Sequence, residues 1–428
     1  MSGLFSATEA ARRVARGDVG SKELTERVLE RIEAANPDVN AIVEVRPGAR
    51  ADAAAADEAV ARGETLGPLH GVPITVKEAI HVAGLRSTWG DPAARDFVAP
   101  ADATVVRRLR EAGAIIVGTS NVAFMLADFG RTANELYGAT ANPRDPGLTP
   151  GGSSGGAAAA LAAEMTFLDY GSDLTGSIRI PAAFCGVYGL KPTSGIVPLT
   201  GFAPPGPPPP PSEMTYLSAL GPLARSAADL RTALKVTAGP EGAAAKALGW
   251  SLPPSRHARL NEFRVGFTLD GPVSDEIADR LAATVEALGR AGATLVEGWP
   301  DGVDPGADAE SFGFHVGLFF AFMEPGSQYA TLAQVIEHES RRQAARAAWG
   351  RYFEDVDVFL CPATTTLPFP IDEEPDPSLP FWASHASYAG LPAVTAPLTG
   401  DGPPIGAQII GPRYEDDTAI SFAELLPT

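Results

Sequence analysis

The feature that most constrains this chain is a repeated switch between short apolar runs and helix-patterned stretches. Val72 to Val76, Ala114 to Val117, Ala293 to Val296, Asp355 to Leu360, Ala393 to Pro397 and Ile405 to Ile410 read as strands. Residues 5–35, 49–62, 104–112 and 275–293 instead carry apolar residues at helical intervals, and Ser21 is the expected N-cap within the first. Strands that are apolar on both sides need cover on both sides, so the pattern implies an α/β sheet with helices on each face. Residues 203–211, APPGPPPPP, suit neither helix nor sheet interior and read as a stiff surface loop. Residues 304–330 read as irregular and aromatic.

A length of 428 residues allows two or three ordinary domains or one large one. No repeat and no shift of composition divides it, so one domain is expected. Acidic residues outnumber basic ones 52 to 33, giving a net charge of −19. A nucleic acid or an anionic membrane needs a basic footprint, so neither is an expected partner. The two cysteines, Cys185 and Cys361, lie far apart and form no disulfide framework, which fits a reducing compartment. The start lacks a signal-peptide apolar run, and no stretch approaches the roughly 20 apolar residues of a membrane span. The expected location is cytoplasmic.

Several familiar chemistries fit poorly. GGSSG at 151–155 matches a nucleophile elbow, but Pro150 precedes it where that motif needs a strand. The six histidines show no metal-ligand spacing, and GLKPT at 189–193 displaces the lysine of a phosphate loop. What remains is two Gly/Ser-rich segments and a lysine ending the apolar run Ile74-Thr75-Val76-Lys77. Burial would disfavour the ammonium form and free an amine able to activate a serine. On these residues alone, a surface lysine on an edge strand is the plainer reading.

GVPITVKEAI at 71–80, TPGGSSGGAAAALAA at 149–163 and GSDLTGSIRIPAAFCGVYGLKPTSG at 171–195 closely resemble the core of the amidase signature family. ELTERVLERIEAANPDVNAIV, GPLARSAADL, VDVFLCPATTTLP, YAGLPAVTAP and PPIGAQIIGPRYEDD extend the likeness over nearly the whole chain, except 201–215 and about 240–350. The resemblance implies one domain built on a large mixed twisted β-sheet sandwiched between α-helical layers. Within residues 1–428 it implies N-terminal helices over 1–65, a catalytic core over 66–200, a variable substrate-facing region over 201–350, and C-terminal strands and a helix over 351–428. It implies Lys77 as base, Ser153 as proton bridge after a cis Gly152-Ser153 peptide, and Ser177 as nucleophile. It also implies an oxyanion hole of backbone N–H groups at Leu174, Thr175, Gly176 and Ser177. Ser154, Asp173 and Arg179 would support the site, the last two as an ion pair.

Two positions depart from the family pattern. Glu78 stands where Asp is usual, and Thr175 stands where Gly is usual, which bears on the geometry of the hole. Phe124 and Met125 sit where the family lines its substrate pocket. The aromatic stretch of the variable region, Phe312, Phe314, His315, Phe319, Phe320 and Phe322, is expected to wall a wide apolar pocket, Phe314 and Phe319 foremost, with the polyproline loop as lid. Cys185 reads as a buried small hydrophobe. The implied reaction is hydrolysis of non-peptide amides, with carbamates or esters as alternatives. A glutaminase subunit of a tRNA-dependent amidotransferase and an inactive scaffold are further readings. No metal or organic cofactor is implied. The expected partner is a small-molecule amide, carbamate or ester, and the expected assembly a monomer or homodimer.

Overall fold

The computed structural model describes residues 5–205, 217–322 and 326–427. In chain order its strands are β1 (Ile42–Val45), β2 (Pro73–Lys77), β3 (Ile115–Ser120), β4 (Ala133–Asn134), β5 (Gly138–Ala139), β6 (Leu168–Asp173), β7 (Tyr188–Lys191), β8 (Ala219–Ala224), β9 (Arg264–Phe267), β10 (Thr294–Glu297), β11 (Val358–Pro362), β12 (Ala393–Leu398) and β13 (Ile405–Ile410). Eleven of these form one sheet in the order β1-β3-β2-β6-β8-β7-β12-β13-β11-β9-β10, and β4 pairs with β5 separately. The sheet is mixed. β2 runs parallel to both β3 and β6, while β6–β8, β7–β12 and β12–β13 are antiparallel.

Adjacent residues of β6 show that both faces are covered, because successive side chains point to opposite sides. The Tyr170 hydroxyl meets Thr237 on the helix Ala227–Thr237, at 2.5 Å. A Cβ on Gly171 would instead approach Ser154 and Ile178, beside the helices Gly155–Ala162 and Arg179–Cys185. The helix Gly155–Ala162 is buried over Gly155–Leu161 and built almost wholly of Gly and Ala. A Cβ on Gly156 would run into the Asn121 backbone nitrogen, so the helix seats itself where no larger residue fits.

Two expectations need correction. Residues 5–35 are not one helical unit: the helices Ala7–Arg16 and Ser21–Val39 break at Gly17, which takes φ 75°. Ser21 is the first residue of the second helix rather than its cap. The Asp57 carboxylate, from another helix, accepts the Ser21 and Lys22 N–H groups at 2.5 and 3.0 Å. Most of 304–330 is not irregular either. Pro305–Phe322 is a helix, and Thr331 with Gln334 caps a second, Leu332–Asp355. Apolar residues of the first are spread around it rather than confined to one side, so it shows no stripe from which periodicity could be read.

No helix among the described residues is long and apolar enough to cross a membrane. Nor do the described residues contain a cluster of His, Cys, Asp and Glu able to hold a metal ion.

Candidate active site

Lys77 ends β2 in the interior of the sheet, between two parallel neighbours, and its side chain is fully buried. The edge-strand alternative is thereby excluded. Nζ lies 2.7 Å from Ser153 Oγ, 2.8 Å from Ser154 Oγ and 3.0 Å from Ser172 Oγ. Among the described residues no carboxylate forms an ion pair with it. Burial pushes the amine down to about 7, against the opposing pull of Asp173, Asp169 and Glu78. Burial thus favours the free amine over the ammonium at this position.

Ser153 and Ser154 lie in the Gly-rich turn that enters the helix Gly155–Ala162, and the Gly152-Ser153 peptide is cis. The Ser154 hydroxyl donates to the Ser172 carbonyl at 3.2 Å, so its proton is committed and it can only accept from Lys77. Ser172 was not singled out in the sequence. It reaches the lysine through strand pairing, which a linear pattern does not display.

Ser177 follows the turn from β6 into the helix Arg179–Cys185 and faces the same cavity as Ser153. One carboxylate shapes this turn. Asp173 accepts the Gly176, Ile178 and Arg179 N–H groups and is held by the Arg179 guanidinium, Nη2–Oδ1 2.7 Å and Nε–Oδ2 3.0 Å. Arg179 also donates to the Ala383 carbonyl, Gln408 and Ser387. Burial alone would raise the Asp173 carboxyl; the Arg179 charge and hydrogen bonds bring it below the usual carboxylate range. Gly176 takes φ 106°, where a Cβ would also strike Ala383 and Ile180 at 2.8 Å. Its N–H is occupied by Asp173. Those of Leu174, Thr175 and Ser177 make no hydrogen bond among the described residues.

Glu78, beside Lys77, points away from the reacting groups. Its carboxylate accepts Thr88 N–H and Oγ1, Trp89 N–H and the Tyr137 hydroxyl, at 2.6 to 3.0 Å. Burial raises its affinity for a proton, and these donors oppose that. The result fixes Trp89, at φ 55°, with its indole N–H on the Ala79 carbonyl and its ring stacked on Phe202, 5.0 Å between centroids.

Trp89, Phe202, Phe319, Phe320, Met125 and Leu126 wall a narrow cavity of about 360 Å³, counting its open mouth. Ser153, Ser172, Asp173, Leu174, Ser177 and Ser218 complete it. Of the expected wall residues, Met125, Phe319 and Phe320 are present, and the cavity is narrow rather than wide; Phe124, Phe312, Phe314 and His315 are elsewhere. Phe124 is 49% exposed. Phe314 stacks on His338 at 3.9 Å and packs against Tyr329. Trp89 and Phe202 are wall residues that the sequence did not point to. The expected lid over 203–211 falls largely outside the described residues. Cys185 is fully buried, and burial pushes its thiol far up, so it presents no thiolate.

A family model described as Amidase matches residues 23–316 and 307–420. The chain belongs to this family. It is 33% identical to the acylamidase of Rhodococcus erythropolis over 470 residues, covering 99% of this chain and 96% of that one. It is 32% identical to a glutamyl-tRNA(Gln) amidotransferase subunit of Synechococcus sp. (strain CC9605) over 464 residues, covering 95% and 92%. A solved structure from a vestigial protein complex, tied to the origins of an s-triazine catabolic enzyme, superposes with a TM-score of 0.85 at 28% identity, covering 99% and 98%. The mixed sheet with helices on both faces is thus the family's fold.

Proposed function

We propose that this protein hydrolyses amides bearing a flat apolar group, with Ser177 as nucleophile. The observation that carries the reading is the buried Lys77 amine, 2.7 Å from Ser153 Oγ and without a carboxylate partner among the described residues. A neutral amine has two hydrogens and one lone pair. Ser154 and Ser172 accept the hydrogens, so the lone pair is left for the Ser153 proton. Ser153 in turn accepts the proton of Ser177, whose oxygen attacks the carbonyl carbon. The N–H groups of Leu174, Thr175 and Ser177 hold the oxyanion. Ser153 returns a proton to the leaving nitrogen, and water, activated through the same relay, releases the acyl group from Ser177.

The walls favour aromatic or otherwise flat apolar groups. The one charged lining residue among those described, Asp173, is already paired with Arg179. Nothing described there would satisfy the ammonium and carboxylate of glutamine. This supports a stand-alone amidase over a glutaminase subunit, even though several of the relatives are glutamyl-tRNA(Gln) amidotransferase subunits A. Carbamates and esters remain substrates the same relay can serve. Two buried free cysteines fit the reducing cytoplasm, where we place the protein as a monomer or homodimer acting on small molecules.

The test is hydrolysis of a matched anilide, carbamate and ester by wild type and Ser177→Ala. We expect the anilide to be cleaved fastest and the variant to lose at least about a thousandfold. Equal cleavage by both proteins would remove Ser177 from its role.

A further inference from the structure

Beside the strand that carries Lys77 lies a carboxyl group the reaction above does not use. Asp169 sits on β6 with no solvent exposure. Its partner across the parallel β2–β6 pair is Thr75, whose hydroxyl donates to Asp169 Oδ2 at 2.5 Å. The other carboxyl oxygen, Oδ1, has no hydrogen-bond partner among the described residues. Among the described residues no Arg, Lys or His forms an ion pair with Asp169. Thr75 and Lys77 are two residues apart on one strand, so they project to the same face, about 6–7 Å from each other. The lysine is therefore the cation whose charge this carboxyl meets.

The remaining surroundings are almost free of charge. β8, which pairs β6 on its other side, carries no titratable residue over Ala219–Ala224, and Leu223 is the residue opposite Asp169. The helix Gly155–Ala162 carries none, and β3 contributes only the Ser120 hydroxyl, which faces the carboxyl. On β6 itself, Tyr170 points to Thr237, while Asp173, paired with Arg179, also raises Lys77 and does so more than Asp169. Glu78, next to Lys77, is held by Thr88, Trp89 and Tyr137.

We propose that Asp169 is a positioning residue that, together with Asp173, tunes the pH at which Lys77 becomes available as a base. It acts through the sheet and touches no substrate. Ionised Asp169 stabilises the Lys77 ammonium across a water-poor interior and keeps the lysine protonated to higher pH than burial alone would. Burial, opposed by the Thr75 hydroxyl, brings this carboxyl to about 7, the range in which Lys77 also titrates. The two groups then exchange protons as a coupled pair. The inference rests on Lys77 being the base.

The experiment is the pH profile of kcat/KM for the anilide in wild type, Lys77→Ala, Asp169→Asn and Thr75→Val. With the carboxylate gone, the amine deprotonates more readily. Asp169→Asn should therefore move the acid limb to lower pH, by on the order of one unit. Thr75→Val removes the donor that favours the ionised carboxylate and should move the limb the same way by less. It keeps the test open if Asp169→Asn does not fold. Lys77→Ala should be inactive at every pH. Inactive Lys77→Ala with an acid limb unmoved, or moved upward, in the folded variants overturns the role of Asp169 and leaves the base assignment intact. Active Lys77→Ala overturns both.

Discussion

Arg179 illustrates how much of the site depends on one side chain. Its guanidinium is fully buried and supplies the countercharge for Asp173, whose oxygens fix the turn that presents Ser177. Removing one member of a buried pair leaves the other uncompensated, at a cost of about 3–5 kcal/mol. Arg179→Ala should accordingly lower unfolding stability by about that amount in urea titrations and abolish hydrolysis, because Asp173 can no longer hold the turn as an anion. Lys77 gives a prediction in pH. Its role requires the neutral amine, and burial lowers it to about 7. kcat/KM should therefore rise with pH through about 7 and level off above it. A limb near the unperturbed lysine value would mean that the amine is not desolvated in solution. Lys77, Ser153 and Ser177 could be proposed from the sequence only through motifs that resemble the amidase signature family; taken alone, Lys77 reads as a surface lysine on an edge strand. Ser172 and Asp169 could not: they meet Lys77 and Thr75 only because β6 lies beside β2.

Among the elements, the helix Gly155–Ala162 shows what the Gly/Ala-rich sequence is for. Its closeness to the segment after β3 keeps Ser153 and Ser154 against the end of β2. Gly156→Ala would drive a methyl into the Asn121 nitrogen and carbonyl oxygen, both backbone atoms that cannot swing aside. Overpacking of this kind costs about 1–3 kcal/mol. Thermal unfolding should show a lowered midpoint, with residual activity falling as the helix is pushed from Lys77. The short apolar strands were legible because they are buried on both faces. β6, half of it Asp and Ser, and β8, interrupted by Gly221 and Pro222, were not, although β6 carries Ser172 and Asp173. The cap on Ser21–Val39 escaped notice for a related reason, since Asp57 supplies it from 36 residues away.

At the scale of the whole molecule, the reacting groups and the pocket walls have different origins. The proposed reacting groups, Lys77, Ser153 and Ser177, all precede residue 180, whereas the walls add Phe202 and residues 319–320 to Trp89 and residues 125–126 of that same stretch. Sequence order says little about such a gathering. Phe314 and Phe319 were both expected in the wall, but five residues turn a helix by about 140° beyond one full circle. They therefore cannot face the same side, and only Phe319 meets the cavity. This separation predicts that specificity and chemistry can be changed independently. Phe319 lies far from the proton relay in sequence and donates no hydrogen bond to it, so Phe319→Ala should leave turnover of a small aliphatic amide nearly unchanged. For an anilide it removes apolar contact worth about 1–2 kcal/mol, so kcat/KM should fall roughly 5- to 30-fold, mostly through KM. Phe314→Ala, on the other side of the helix, should change neither substrate. Equal losses for both substrates in Phe319→Ala would mean that this ring supports the catalytic turn rather than the substrate, and the wall would have to be sought in Trp89 and Phe202.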